Sequence, residues 1–316
     1  MSDAGRSWTC IVPCAVMAAL SVCIAGCQAS SAIDNDAPPV HDSYQRPEPA
    51  LSVAPLYSPR KYSAPFAQIA PVIDGAAGDA AWQLAPWSEN FTDIEGPVRS
   101  IPSQQTRFKM TWDAKCLYIL GELAETDLWA TLKTHDEIVF YDNDFEVFID
   151  PDGDTREYYE IEVNAFGTIF DLYLPQPYRA GTKADHSWTA QGMRLAIGLD
   201  GTLNDSRDRD EGWRVEMALP WTMFSPIAYK TAEFPQGTPV FQRAARPPRV
   251  GDHWRMNFSR VQWMLEKDGE SYRKVAQRPE DNWTWTPQWM IDMHVPQWWG
   301  VVEFVHPTEM NERISK

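Results

Sequence analysis

From about residue 66 onward, apolar and polar residues alternate with a period of two. Phe108, Met110 and Trp112 alternate with Arg107, Lys109 and Thr111. Leu117, Ile119, Gly121 and Leu123 alternate with Tyr118, Leu120 and Glu122. The same rhythm places Phe145, Val147 and Ile149 opposite Asp144, Glu146, Phe148 and Asp150. It places Tyr159, Ile161 and Val163 opposite Tyr158, Glu160, Glu162 and Asn164. Further runs cover Trp213 to Leu219, Trp254 to Phe258 and Val301 to Val305. Successive side chains of a strand point to opposite faces, so each run predicts one buried and one open face. Turn residues separate the runs at Asp113-Ala114-Lys115, Pro151-Asp152-Gly153-Asp154, Asp200-Gly201 and Asp210-Glu211-Gly212. Short helical pieces are predicted at Asp79 to Gln83 and Pro220 to Phe224. The sum is an all-β chain, an antiparallel β-sandwich of about nine to eleven strands with short helices.

Composition supports this class and narrows the partners. The 15 Trp, 11 Tyr and 13 Phe, with 25 Pro against 17 Gly, fit a sandwich better than a helical domain. Exposed rings of this kind suit flat apolar ligands such as sugar faces. A hydrophobic fraction of 44% excludes wholesale disorder. With 28 Lys+Arg against 44 Asp+Glu the net charge is −16, which excludes a nucleic-acid partner because phosphate binding needs a basic surface.

The amino terminus reads as an address. Residues 11–26 are uncharged and apolar, shorter than the roughly twenty residues of a membrane span, and fit a signal-peptide core. Ile24-Ala25-Gly26-Cys27 resembles the bacterial lipobox, which implies lipidation of Cys27 after removal of residues 1–26. Residue 28 is Gln rather than Asp, so in a two-membrane bacterium the general sorting tendency of such lipoproteins implies the outer membrane. Residues 27–60, rich in Ala, Ser, Pro and Asp, are expected to form a flexible tether, and residues 61–316 the folded domain. Cys10, Cys14 and Cys23 leave with the signal segment, so a lipidated Cys27 leaves Cys116 without a disulfide partner. Cys116 follows a turn and is expected to be a buried, inert thiol.

The expected open faces carry Lys109, Glu122, Glu146, Glu160, Glu162, Asn164, Arg214, Glu216, Arg255 and Asn257, groups that suit either hydrogen bonding to sugar hydroxyls or an ordinary solvated sheet. Several segments, in order, resemble the family 9 carbohydrate-binding modules. They are Val72-Ile73-Asp74-Gly75 with Asp79-Ala80-Ala81-Trp82, Met110-Thr111-Trp112-Asp113 with Leu117-Tyr118-Ile119, and Asp144 to Asp150. Tyr158 to Asn164, Gly212-Trp213-Arg214-Val215-Glu216 with Leu219-Pro220-Trp221, Trp254 to Asn257 and His294 to Gly300 complete the order. The resemblance spans roughly residues 66–305. It implies a β-sandwich that clamps a sugar between aromatic rings and carries structural calcium. Glu146 and Asn164 match the family's site. Phe140, with Tyr141 beside it, falls at the first clamp position, the second falls near Met293, and Glu162 replaces an Arg. The expected glycan surface is therefore the sheet face with Glu146, Glu162, Asn164 and Arg214, edged by Phe140, Tyr141 and Trp285, with Trp283 or Trp289 as other sources of the second ring.

Asp150-Pro151-Asp152-Gly153-Asp154 begins like a calcium loop, but an EF-hand needs Glu where Ile161 stands. A calcium site of another kind remains open, with Asp142, Asp144 and Asp150 as candidate ligands beside Asp152 and Asp154. So does a polar turn whose Asp side chains cap their own backbone. Two other functions have candidate residues. Glu160 and Glu162 lie two apart on one strand, about 6.5–7 Å, a spacing compatible with a glycosidase acid/base pair that also includes Glu146 as a candidate. Met293-His294 raises haem ligation, but adjacent residues cannot grip one iron from opposite sides. The six His form no zinc motif, and no nucleophile elbow or phosphate loop occurs.

Overall fold

The computed structural model describes residues 58–224 and 247–307, all within the unit Tyr44–Lys316. The signal segment, Cys27 and the tether up to residue 57 lie outside the described residues. In chain order the strands are β1 (Lys61–Pro65), β2 (Thr92–Asp93), β3 (Thr106–Trp112), β4 (Cys116–Ala124), β5 (Asp144–Asp150), β6 (Tyr158–Asn164) and β7 (Ile169–Leu174). They continue with β8 (Arg194–Asp200), β9 (Gly212–Pro220), β10 (His253–Gln262), β11 (Leu265–Asp268), β12 (Ser271–Lys274), β13 (Asp281–Thr284) and β14 (Gly300–Val305). Fourteen strands among the described residues exceed the nine to eleven expected, because β1, β2 and β11 to β13 are too short to show a period. The expected helical pieces appear as α1 (Ala80–Leu84) and a 3-10 turn at Trp221–Phe224.

The strands form two main sheets and a hairpin. The larger sheet runs β1-β14-β10-β5-β6-β7, with β13 pairing β10 and β2 pairing β13. The smaller runs β3-β4-β9-β8, and β11-β12 stand apart. All pairs are antiparallel except β1, which runs parallel to β14. The core lies between the two sheets, where Phe145, Val147, Ile149, Ile161 and Val163 meet Phe108, Met110, Ile119, Val215 and Met217. These are the inward positions of the alternation. Close approach of the sheets requires Gly121, since a Cβ there would fall 2.8 Å from Val215 and 3.0 Å from the Phe145 ring.

The outward faces depart from expectation, because both are covered. On the smaller sheet Trp82 of α1 packs on Tyr118, Leu120 and Ala218. Glu216, expected on an open face, is fully buried and accepts three hydrogen bonds, from the N–H of Asp74 (2.9 Å) and Gly75 (2.8 Å) and from Trp82 Nε1 (2.8 Å). The Ile-Asp-Gly…Trp pattern is thus an anchor for the segment that crosses this sheet. On the larger sheet Val139, Phe148, Tyr158, Phe170, Leu172, Leu174 and Trp299 form a second apolar cluster. Phe148 and Tyr158 share the parity of the acidic residues, so a cover over the acids follows from burying these rings.

Candidate functional site

The covered face of the larger sheet carries the acidic residues. Antiparallel register sets Glu146 opposite both Glu162 and Ser259, Asp144 opposite Asn164, and Phe148 opposite Glu160. Exposure is 0% for Asp144, 5% for Glu146, 5% for Glu160 and 2% for Glu162. Burial raises all four carboxyls above the ordinary range, Glu146 to about 7, and their mutual repulsion adds to the rise in Asp144, Glu160 and Glu162. Each of the three nearest one another accepts one hydrogen bond from outside the group. Val261 N–H donates to Asp144 Oδ1 (2.8 Å), Phe140 N–H to Glu162 Oε2 (2.9 Å), and Ser259 Oγ to Glu146 Oε2.

This geometry corrects several expectations. Asn164 is fully buried, and its amide is spent on Leu132 O and Asp142 (both 2.9 Å) and on the N–H of Phe166 and Thr168 (both 3.0 Å). Glu146 and Glu162 lie under the cover rather than on an open surface. Arg214 belongs to β9 of the other sheet, where it pairs with Asp200, because alternation assigns a face within a sheet but not the sheet itself. Trp285 is fully buried in the central core. Its ring lies 5.1 Å from Phe108 and 6.1 Å from Phe258, and a Cβ at Gly300 would fall 2.1 Å from it. Trp283 and Trp289 are 4% and 3% exposed, so neither stands as the free second ring.

The three Asp weighed as calcium ligands do not share one ion. Asp144 and Asp150 are the two ends of β5, about 20 Å apart at the rise of an extended strand. Asp142 Oδ2 accepts the N–H of Thr131 (2.7 Å) and Leu132 (2.8 Å) as well as Asn164 Nδ2, fixing the preceding loop. Asp150 takes the N–H of Gly153 and Thr155, both at 2.8 Å, and Asp154 takes that of Arg156 at 2.8 Å. That is the polar-turn arrangement, although Asp150, Asp152 and Asp154 also lie close enough together to share an ion. Glu160 and Glu162, weighed as a glycosidase pair, lie beneath the cover at 5% and 2% exposure. Met293 packs beside the second apolar cluster, and His294 is tied through Nδ1 to Tyr158 OH (2.9 Å) with burial lowering it to about 4, an arrangement that leaves that nitrogen no room for an iron. Cys116 is half-buried and unpaired by any disulfide, and burial raises its thiol.

Of the expected ligand residues, Tyr141 is exposed at 40% and Phe140, 4.8 Å from it, is half-buried. Both belong to the 3-10 turn Val139–Tyr141, held over the sheet by Glu162. Around Tyr141 the fold assembles Trp263, one of the seven Trp of the last sixty or so residues from which exposed or cleft-lining rings are expected, with Trp129 and Lys274, which the sequence did not single out. Trp263, one residue beyond β10, donates through Nε1 to Phe140 O (2.9 Å), and its own N–H donates to Asn143 Oδ1 (2.8 Å). Lys274, at the end of β12, sets its ammonium 3.5 Å from the Trp263 ring centre, 5.5 Å from Tyr141 and 5.7 Å from Trp129. Burial among these rings lowers Lys274 to about 8, with Asp142 and Glu280 opposing the shift. Trp263 keeps the parity of Asn257 and Ser259, the one hint in the sequence that a ring emerges on this face. Trp129, on the loop after β4, and Lys274, on a hairpin strand too short to show a period, gave no such hint. The result is an aromatic shelf with one amphipathic cation. A separate cavity of about 360 Å³ is lined by Lys133, His135, Phe166, Gly167, Thr168 and Ile169.

Residues 73–238, just over half of the chain, match the family profile described as carbohydrate family 9 binding domain-like. Endo-1,4-beta-xylanase A of Thermoanaerobacterium saccharolyticum is 30% identical over 157 residues, a match covering 49% of this chain and 11% of the xylanase. A candidate carbohydrate-binding protein from Bacteroides uniformis superposes with a TM-score of 0.54 at 14% identity, over 78% of this chain and 100% of that one. A family 9 carbohydrate-binding module from Caldicellulosiruptor kristjanssonii, in complex with cellotriose, gives a TM-score of 0.46 at 16% identity over 78% of this chain and 94% of that one.

Proposed function

The chain belongs to the carbohydrate family 9 binding domain-like family, and on that premise we propose that it is a non-catalytic glycan-binding module whose ligand lies on the shelf formed by Tyr141, Trp263, Trp129 and Lys274. The observation that carries the site assignment is the convergence of the Trp263, Tyr141 and Trp129 rings on the Lys274 ammonium, with Tyr141 40% exposed at the surface and Trp129 buried beneath as support. The axial C–H groups of a pyranose form an apolar face that stacks on such rings. The Lys274 ammonium supplies hydrogen-bond donors at the ring edge. A partly exposed aromatic contact of this kind contributes on the order of 1–2 kcal/mol. Native gels cast with soluble polysaccharides test the reading. The full chain is retarded by its glycan, Tyr141→Ala runs faster on the same gel, and no reducing ends are released. Equal retardation of Tyr141→Ala and wild type would move the ligand elsewhere, and sugar release would make the protein an enzyme.

The reading extends to the cell envelope, supported by the Ile24-Ala25-Gly26-Cys27 sequence alone. Lipid on Cys27 would hold the module at the bacterial surface, in the outer membrane of a two-membrane cell, where it would retain polysaccharide for breakdown. Cys27→Ser is expected to release the chain into soluble fractions or to accumulate as precursor. Normal processing and membrane retention of that variant would contradict the anchor.

A further inference from the structure

We infer that the glycan held on the shelf is acidic, with a uronate unit that sets its carboxylate on the Lys274 ammonium. The inference rests on the shelf as the binding site and names the class of sugar it takes.

The charge balance of the chain makes Lys274 unusual. With 44 Asp+Glu against 28 Lys+Arg, carboxylates are in excess, and cations close to Lys274 in the chain have each taken one. Arg273, one residue earlier on β12, pairs with Glu266 across the hairpin at 2.9 Å, and Arg278 pairs with Asp281 at 3.0 Å. Lys274 instead stands opposite Leu265. Among the described residues its ammonium forms neither an ion pair nor a hydrogen bond, and its contacts are the rings of Trp263, Tyr141 and Trp129. Asp142 and Glu280 lie near enough to favour its charge, but neither pairs with it. Asp142 is committed to its own loop, where Oδ2 accepts the N–H of Thr131 and Leu132 and Oδ1 accepts Thr131 Oγ1 at 2.8 Å.

An ammonium carries three hydrogen-bond donors. That of Lys274 is half-buried against rings, so it has given up water without gaining an acceptor, and burial lowers it to about 8. At neutral pH it is still charged. Cation–π contact with Trp263 offsets part of the loss, but a ring face cannot receive all three donors. A sugar hydroxyl would satisfy one donor and leave the charge uncompensated. A carboxylate satisfies donor and charge together, through a hydrogen bond roughly twice as strong as a neutral one. The placement suits a uronate. A pyranose stacked on Tyr141 carries its C5 substituent at the rim of the sugar, and the ammonium stands 5.5 Å from the Tyr141 ring centre on the side of Trp263. The net charge of −16 opposes acidic polymers from afar, but salt screens charges beyond about 8–10 Å, so the local cation decides the contact. The same opposition disfavours densely sulfated chains, which bring more charge than one ammonium compensates.

The test uses the full chain with polygalacturonate, alginate and glucuronoxylan, each beside a sample whose carboxyls have been reduced to alcohols, and with carrageenan as the sulfated polymer. Calorimetry gives the affinity ratio within each pair. At least one uronate polymer is expected to bind about tenfold tighter than its reduced counterpart, with a ratio that shrinks as salt rises. Lys274→Met, which keeps the apolar stem, is expected to bring the ratio close to one, while Lys274→Arg and Lys133→Met, the latter at the separate cavity, retain it. Equal affinity within all three pairs overturns the inference, as does a ratio that survives Lys274→Met, or carrageenan bound more tightly than every uronate. Should Lys274→Met not fold, the wild-type chain decides. A water-soluble carbodiimide joins a bound galacturonate oligomer to the amine it touches, and mass spectrometry locates the amide. Coupling at Lys274 supports the inference, and coupling only at other lysines overturns it. Tyr141→Ala separates the two readings. Equal affinity within the pairs, with both members weakened by Tyr141→Ala, overturns the uronate alone. Undiminished binding of both members in Tyr141→Ala overturns the shelf, and the inference with it.

Discussion

Trp285 illustrates what a single residue can hide. Its Pro-flanked, irregular surroundings favour an exposed ring by sequence, yet Gly300 leaves the space into which the indole fits, and Glu89 Oε2 accepts its Nε1 at 3.1 Å. Trp285→Ala is expected to cost about 3–5 kcal/mol of stability through the cavity it leaves, read as a large drop in melting temperature. A drop no greater than that of Tyr141→Ala would contradict the core position. At this scale the sequence identified residue types well and environments poorly. Glu146, Glu162 and Asn164 are on the face where alternation puts them, but their exposure depends on what lies above. The acids alone resemble a wet surface. Phe148 and Tyr158, at the same parity, are the contrary sign, because rings of that size on a solvated face would lose their burial.

At the scale of elements, long strands were legible and their partners were not. The alternations over β3 to β6 and β9 emerge at nearly the expected residues, since a sheet with one apolar face forces period two. The short hairpin β11-β12 and strand β13 carry too few residues to show any period, and β8, partly exposed along its length, carries a weak one. Strand β10 shows how pairing creates a residue's role. Its alternation puts Arg260 at the inward parity of Met256 and Phe258, and the guanidinium reaches Glu125 (2.8 Å), Thr106 Oγ1 (3.0 Å) and Ala124 O (2.8 Å) at the end of the smaller sheet. Both partners are buried, at 0% and 2% exposure, so this ion pair fastens one sheet to the other. Arg260→Met is expected to destabilise by about 3–5 kcal/mol by leaving Glu125 buried without its cation. Chemical denaturation measures the loss. The double variant Arg260→Met with Glu125→Leu is expected to recover much of it, and a double variant as unstable as the sum of both single changes would contradict the pairing.

For the whole molecule, the sandwich follows from the chain's period and composition, while the proposed binding surface follows from its covers. The segment from Leu132 to Tyr141, fixed by Asp142, and the segment through His294 to Trp299 close over a sheet face that a minimal sandwich would leave wet. Sealing that face removes Glu146, Glu162 and Asn164 from contact with a large ligand and brings Tyr141, Trp263, Trp129 and Lys274 together above it. None of this assembly is local in sequence, so no motif announces it. The Asp-Gly…Trp and Glu patterns that carry the family resemblance mark the anchoring of the smaller sheet, which is why the family was legible and the ring arrangement was not. The central claim is that glycan binding resides on the aromatic shelf, and calorimetric titration of a retained oligosaccharide into wild type and into Tyr141→Ala with Trp263→Ala tests it most directly. The account predicts affinity at least tenfold weaker in the double variant, with cooperative folding preserved. Equal affinity in a folded double variant would contradict it.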